Sequence, residues 1–297
     1  MGEQISFEAL LPPAMAAKAE ALGVKKANLV TSQMFMLAVL AGAFISVAAM
    51  FATIAGIGDF SIKDAAGQII FSGALPYSLT RLFMGLVFSL GLILVVVGGA
   101  ELFTGNTLIT MAFANKKITL GQLMRNWVIV YLGNFAGSIL TVLIVFVSEH
   151  YLAANGTVGL TALKIGEAKT SLAFIPAVAS GMMCNALVCI AVWLCYSARS
   201  TTDKILAIIF PISSFVAAGF EHSVANMYFI PMALFIKGSG DEKFFALIAK
   251  TAADFPHLTW SNFFVSNLIP VTIGNIIGGA VMVGLVYWFI YNREQHS

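Results

Sequence analysis

The chain has 297 residues, of which 59% are hydrophobic and only 10% charged, and its formal net charge is +2. Soluble globular domains carry about 25% charged residues, so this chain has too few charges to cover a soluble globule of its size. The composition indicates an integral membrane protein whose main partner is the lipid bilayer. The small net charge gives no indication of a nucleic-acid partner.

Residues 1–29 do not have the pattern of a secretory signal. Six charged side chains interrupt this segment, which has no continuous apolar stretch and no small-residue cleavage site. Residues 13–22 begin with a proline and are followed by Gly23, which predicts a short amphipathic helix at the membrane surface. We expect residues 1–29 to form a cytoplasmic N-terminal segment.

Six apolar runs follow, each long enough to cross about 30 Å of hydrocarbon. They are residues 30–56, 77–115, 126–148, 171–197, 205–236 and 262–291. Residues 30–291 are therefore predicted to form an all-α transmembrane domain of six helices, and residues 292–297 a short C-terminal tail.

Basic residues are concentrated at the termini and in the connections after the second and fourth spans. These nine are Lys18, Lys25, Lys26, Lys116, Lys117, Arg125, Arg199, Lys204 and Arg293. The other basic residues are spread through longer connections that also contain acidic residues. Because cytoplasmic loops carry an excess of Lys and Arg, we expect both termini to be cytoplasmic.

The second and fifth spans each contain an acid, glycine and asparagine within an apolar run. Both read G-x-E-x4-N, at residues 99–106 and 219–226. Non-helical backbone at membrane depth is tolerated only where protein or a water-filled cavity covers it. We interpret both spans as broken helices of the kind that transporters place beside a substrate.

A second repeated pattern supports this interpretation. The third and sixth spans read N-x6-G-N-x2-G at residues 126–137 and 267–278. The two patterns occur in the same order in each half. With three spans in each half, the halves must have opposite topology, which predicts an inverted 3+3 repeat.

The polar residues of the breaks allow structural and functional roles. Glu101 and Glu221 are expected mainly to hold the breaks in shape, by accepting hydrogen bonds from free amides at a helix start. Asn106 and Asn226 fit two interpretations equally well, as capping groups or as donors along a solute pathway.

His222 differs from these residues because it breaks the repeat, since the equivalent position is Leu102. A lone buried histidine is usually a satisfied core residue, but one at a midplane break indicates function. It could donate a hydrogen bond or a proton to a passing weak-acid anion. Half-helix N-termini beside it favour an anion over a cation.

Apolar side chains before the breaks also fit two interpretations. Phe88, Leu92 and Phe215 are either core packing or hydrophobic constrictions that strip water from a solute. The three cysteines lie in one apolar segment and are expected to pack in the core. The sequence offers no metal-ligand cluster and no nucleophile–base pair, so neither a metal, a cofactor nor a catalytic residue is expected.

Residues 88–106, 219–227 and 267–279, together with residues 6–20, resemble the formate/nitrite transporter family over nearly the whole chain. The resemblance implies an aquaporin-like fold and a homopentamer with one pore per protomer in the bacterial inner membrane. It also implies passage of formate and similar small monovalent anions. Nitrite or hydrosulfide through the same pore is the alternative, and a water or glycerol pore or a membrane enzyme is a more distant one.

The resemblance also implies roles for individual residues. His222 would be the central histidine and Thr104 its hydrogen-bonding partner. The hydrophobic constrictions would be Phe88 and Phe215 on the outer side and Leu92 and Leu102 on the inner side. Polar pathway positions would be Asn185 and Asn275, with an outer anion-steering cluster of Glu221, Asn226 and Lys169. The stretch at residues 61–73 is expected to be an exposed loop.

Overall fold

The computed structural model describes residues 8–66 and 68–292. Within them lie six helices that are long and apolar enough to cross a membrane, as the sequence predicts. They are Thr31–Ala55, Tyr77–Gly98, Leu120–Val147, Phe174–Ser197, Thr201–Ala218 and Trp260–Tyr291. The predicted C-terminal tail, apart from Asn292, and residues 1–7 of the N-terminal segment lie outside the described residues.

The elements before the third span begin with α1 (Pro12–Ala27) and α2 (Thr31–Ala55). A hairpin of β1 (Asp59–Lys63) and β2 (Ile69–Ala74) precedes α3 (Tyr77–Gly98). A short helix α4 (Phe103–Asn106) then leads through a 3-10 turn (Thr107–Ile109) into α5 (Thr110–Ala114). The surface helix α1 is longer than the predicted 13–22 because Ala and Lys residues continue the helix to Ala27.

The elements of the remaining chain continue the numbering. They are α6 (Leu120–Val147), α7 (Thr157–Thr170), α8 (Phe174–Ser197), α9 (Thr201–Ala218), α10 (Ser223–Gly238), α11 (Glu242–Leu247), and the sixth span, composed of α12 (Trp260–Asn262), α13 (Ile269–Ile276) and α14 (Val286–Tyr291) joined by two π-helical stretches.

The repeated glycines allow spans to pack with their backbones in contact. A Cβ on Gly137 of α6 would lie 2.0 Å from the carbonyl oxygen of Val39 in α2. A Cβ on Gly278 of the sixth span would lie 2.1 Å from the carbonyl oxygen of Met182 in α8. Small residues permit this close approach in membranes, where van der Waals packing drives helix association. These glycines therefore let α6 pack closely against α2 and the sixth span against α8.

The helices before the two G-x-E-x4-N segments end in the same way. Gly99 follows α3 with φ 80°, and Gly219 follows α9 with φ 79°. Such left-handed caps favour glycine because it lacks a Cβ. Leu102 and His222 then adopt extended backbone with φ/ψ of −109°/124° and −111°/114°, and the next helix begins immediately after each.

One connection differs from prediction. Residues 61–62, 64–66 and 68–72 are exposed as predicted and Gly73 is half-buried, but the strands β1 and β2 on either side form an antiparallel hairpin and not an irregular loop. Alternation of Phe60 and Ile62 on β1 opposite Phe71 on β2 has the period that favours strands. The all-α prediction was wrong at this hairpin, although the six spans are helical.

The connection between α10 and the sixth span contains helix α11, whose Phe244 is fully buried. Phe244 packs edge-on to Tyr151, with ring centroids 5.3 Å apart, and touches the region of Gly159 on α7. This connection is anchored to the body of the protein by apolar burial.

Candidate functional site

His222 lies immediately before the first turn of α10, deep inside the protein and 3% exposed. Its Nδ1 accepts the backbone N–H of Ala225 at 3.0 Å, so the side chain caps α10. Its Nε2 lies 3.0 Å from the hydroxyl oxygen of Thr104. Because Nδ1 is an acceptor here, the neutral ring carries its proton on Nε2 and donates it to Thr104.

Aromatic rings lie against one side of this pair. Phe215 stacks on the His222 ring with centroids 5.9 Å apart, and Phe88 meets Phe215 edge-on at 5.7 Å. Phe229 of α10 stacks on Phe88 at 6.4 Å. The predicted constriction residues Phe88 and Phe215 are therefore in contact, and Phe229, which the sequence reasoning missed, completes the cluster.

A cavity of about 380 Å³ opens on the aromatic side and reaches the central histidine. We call it the Lys169 vestibule. Lys169, in the last turn of α7, is 2.8 Å from a carboxylate oxygen of Glu221, and its ammonium lies 5.5 Å from the centre of the Phe229 ring. The amide nitrogen of Asn226 donates to the other oxygen of Glu221 at 2.7 Å. The three residues of the predicted polar cluster are thus in contact.

A second cavity, of about 590 Å³, lies on the other side and includes the predicted constriction residues Leu92 and Leu102 in its wall. We call it the Lys26 vestibule. Lys26, at the end of α1, is 2.8 Å from Glu101 and 2.9 Å from the amide oxygen of Asn106. Sequence reasoning treated Lys26 only as a basic residue of the N-terminal segment and missed this cluster.

Asparagines of the N-x6-G-N-x2-G pattern bind the backbone of the two G-x-E-x4-N segments. Asn134 donates to the carbonyl oxygen of Glu101 at 2.9 Å and accepts the N–H of Phe103 at 2.9 Å. Asn275 donates to the carbonyl oxygen of Glu221 at 3.0 Å and accepts the N–H of Ser223 at 2.9 Å. Each amide thus pairs backbone groups on both sides of the extended residue, Leu102 or His222, that lies before the next helix.

Asn185 and Asn275, implied as polar pathway positions, are fully buried and line neither vestibule. Asn185 donates to the carbonyl oxygens of Thr104 and Asn275, at 3.2 and 2.6 Å. In this structure both amides support the backbone around the central pair.

Two further polar contacts were missed. Asn126 accepts from the amide of Asn106 at 2.9 Å, and Asn267 accepts from the amide of Asn226 at 2.7 Å. The signal was present in the sequence, because both asparagines open the repeated N-x6-G-N-x2-G pattern. That pattern predicts that the two positions are equivalent, but it does not predict which long-range partners they reach.

A family model described as formate/nitrite transporter matches residues 13–289. The formate channel FocA of Escherichia coli K12 is 46% identical over 289 residues, with 97% of each chain covered. Formate channel FocA of Haemophilus influenzae is 41% identical over 283 residues, with 95% of each covered.

Solved structures agree with these relatives. A pentameric formate channel with formate bound superposes with a TM-score of 0.79 at 45% identity, covering 88% of this chain and 97% of that chain. An ion channel of the FNT family superposes with a TM-score of 0.74 at 26% identity, covering 93% and 98%. On the family match, the extent of identity and the shared fold, this chain belongs to the formate/nitrite transporter family.

Proposed function

We propose that this chain is a channel that passes formate and related small monovalent weak-acid anions across the cytoplasmic membrane, without catalysing a reaction. The observation that carries the proposal is that two vestibules, each with a lysine, approach one buried histidine–threonine pair from opposite sides. The relatives named as formate channels support formate as the solute.

The groups around the pair suit an anion that gives up its water. The Thr104 hydroxyl receives the Nε2 proton of His222, which leaves its own proton free to be donated to a carboxylate or nitrite oxygen. The start of α10 adds positive partial charge at the same depth. Phe88 and Phe215 on one side and Leu92 and Leu102 on the other would exclude water from the transit.

We infer that the neutral imidazole is the resting form of His222 and that protonation during transit is transient. The ring can hold a second proton only if Nδ1 releases the N–H of Ala225, which ends the cap of α10. A proton so acquired could pass from Nε2 through the Thr104 hydroxyl to formate, and formic acid would cross the apolar rings as a neutral species.

We further propose that the chain is an inverted 3+3 repeat with broken second and fifth spans in an aquaporin-like arrangement. Matching contacts support this interpretation. The extended residues Leu102 and His222 share backbone angles, and Asn134 and Asn275 make the same two hydrogen bonds. The lysine–glutamate distances are also equal, at 2.8 Å. On this basis α1, which carries one lysine, corresponds to α7, which carries the other.

We propose a homopentamer with one pore in each protomer and with both termini in the cytoplasm. The similarity to a pentameric formate channel supports the assembly. The clustering of Lys18, Lys25, Lys26 and Lys204 around one vestibule supports the orientation, since basic residues favour the cytoplasmic face. The Lys169 vestibule would then open to the outside.

The test of this function is solute flux into liposomes that contain the purified protein. Formate, nitrite, hydrosulfide and glycerol are compared at equal gradients, with protein-free liposomes as the control. We expect formate flux well above the control and above glycerol flux. Formate flux equal to the control would refute the function, and faster nitrite or hydrosulfide flux would change the principal solute.

The role of the imidazole is tested by the pH dependence of formate flux in His222→Asn and His222→Phe. Asparagine caps helices well and does not titrate in this range, so His222→Asn separates the cap from protonation. We expect both variants to lose the wild-type pH dependence, and His222→Phe also to lose stability with the cap. A wild-type pH profile in His222→Asn would exclude the protonation step.

A further inference from the structure

Arg81 lies on α3 and in the wall of the Lys169 vestibule, in a position that no part of the pathway described above uses. Its Nε donates to the carbonyl oxygen of Ala217 at 3.2 Å, and its Nη2 donates to the carbonyl oxygen of Val216. Both carbonyls belong to the last turn of α9. The guanidinium of one half of the chain thus covers the helix end of the other half.

That helix end faces the route of the solute. Val216, Ala218 and Gly219 are all part of the vestibule wall, and the guanidinium lies 3.2 Å from the position that a Cβ on Gly219 would occupy. A helix C-terminus carries a partial charge of about −0.5. Without a cation over it, the end of α9 would repel the anions that the vestibule has to admit.

The charges of the remaining wall do not compensate for this helix end. The charged side chains that line the vestibule are Arg81, Lys169 and Glu221. Lys169 and Glu221 form an ion pair at 2.8 Å and neutralise each other. Within residues 8–66 and 68–292, no carboxylate forms an ion pair with Arg81. The charge at the end of α9 is therefore about +0.5 with the guanidinium and about −0.5 without it, and the positive N-terminus of α10 at the bottom of the vestibule adds to the first case.

We propose that Arg81 is a specificity-determining residue that gives the Lys169 vestibule its net positive charge and so recruits small anions to the pore. This inference rests on the proposed anion-channel function. Lys169 alone cannot supply the charge, because its ammonium is bound to a carboxylate. The guanidinium acts on the helix end by its hydrogen bonds and on the solute by its unpaired charge.

The first test compares formate flux in wild type, Arg81→Gln and Arg81→Lys in liposomes at about 10 mM and about 1 M ionic strength. Screening acts over about 30 Å at the lower value and 3 Å at the higher. We expect the formate flux of Arg81→Gln to be about 3- to 10-fold lower than wild type at low salt, because the variant loses the attraction of one charge for an anion in the vestibule. At high salt its flux should approach that of wild type. Arg81→Lys should retain most of the low-salt flux.

Lys164→Gln is the matched control, because Lys164 is an exposed cation on α7 outside the vestibule wall. We expect its flux to equal wild type at both salt concentrations. If wild type passes formate and Arg81→Gln passes it equally fast at low salt, the proposal is overturned. Equal losses in Arg81→Gln and Arg81→Lys at both salt concentrations would also overturn it, since they would indicate a structural cap only. Absence of formate flux in wild type would instead refute the proposed function.

A second variant keeps the question open to test if Arg81→Gln does not fold. Tyr77 is 76% exposed, lines the same vestibule and lies one helical turn before Arg81. A carboxylate there would pair with the guanidinium and favour the start of α3. We expect Tyr77→Glu to reduce low-salt formate flux about 3-fold or more relative to Tyr77→Gln, and equal flux in the two variants would contradict the role of Arg81.

Discussion

Replacing Lys169 by methionine tests how the Lys169 vestibule holds a buried carboxylate. The Glu221 side chain is 5% exposed, and one of its oxygens is 2.8 Å from the ammonium of Lys169. The other oxygen accepts from Asn226 at 2.7 Å and from Asn267 at 3.1 Å. Lys169→Met therefore removes the cation but leaves the carboxylate buried, with one oxygen unpaired.

The expected loss follows from this geometry. Removing one partner of a buried ion pair costs 3–5 kcal/mol, because the remaining charge is uncompensated. The Lys169 side chain is 17% exposed, so we expect the lower end, about 3 kcal/mol in the free energy of unfolding. The double variant Lys169→Met/Glu221→Gln removes both charges, so its free energy of unfolding should fall by only about 1 kcal/mol.

The assay is equilibrium unfolding of the purified protein in mixed detergent micelles, with formate flux measured on the same preparations. Lys250→Met is the control, because Lys250 and Asp254 form an exposed pair at 3.6 Å and should contribute little that is measurable. If Lys169→Met and the double variant lost equal stability, the carboxylate would not depend on its cation, and the reasoning would fail.

Three other predictions follow from local geometry. Asn134→Leu and Asn275→Leu should lower the free energy of unfolding by similar amounts, about 3 kcal/mol or more, because each leaves one N–H and one non-helical carbonyl oxygen unpaired. Unequal losses in unfolding experiments would contradict the repeat. Gly279→Ala should lower the free energy of unfolding by more than the ~1–3 kcal/mol that overpacking typically costs, since a Cβ would lie 2.0 Å from the hydroxyl oxygen of Thr107. Unchanged stability would contradict the packing. A backbone N–H at the start of α11 lowers the pKa of Asp241. This carboxylate therefore stabilises the connection above the ordinary carboxyl pKa, and the stabilisation is lost as pH falls through the lowered value. Protection factors of the α11 amides, which correct hydrogen-exchange rates for the pH dependence of intrinsic exchange, should fall at low pH, and unchanged protection factors would refute this.

The six spans could be predicted because membranes leave a strong signal. Runs of about 20 apolar residues are needed to cross the bilayer, and all six lie near the predicted positions. The polar residues within spans two and five were also found, because an acid and an asparagine in an apolar run are exceptional. In the structure His222 is in contact with Thr104, and Lys169 and Asn226 are both in contact with Glu221.

Long-range partners were harder to predict. Lys26 lies 75 residues from Glu101 in the chain, and a lysine beside a predicted surface helix does not indicate a buried partner. Arg81 belongs to neither of the repeated sequence patterns, so no pattern in the sequence indicates a role for it. Its contacts are to backbone carbonyls 135 and 136 residues away, and no side-chain pattern encodes such partners.

The β1–β2 hairpin was missed for a different reason. The residues of β1 alternate between polar and apolar, but the alternation is short and lies between two strongly apolar spans. Hydropathy averaged over a membrane-length window does not detect a five-residue strand. Residues 59–62 of the first strand are exposed, and so are all residues of Ile69–Ala74 except the half-buried Gly73, so burial gave no signal either.

Formate flux through Thr104→Val and Thr104→Ser tests most directly whether the histidine–threonine pair lies in the pathway. Valine matches the shape of threonine but has no hydroxyl, so it removes the group 3.0 Å from His222 Nε2, whereas serine keeps it. We predict that Thr104→Val loses about 10-fold or more in flux, equivalent to about 1.4 kcal/mol, while Thr104→Ser stays near wild type. Wild-type flux in folded Thr104→Val would contradict the account.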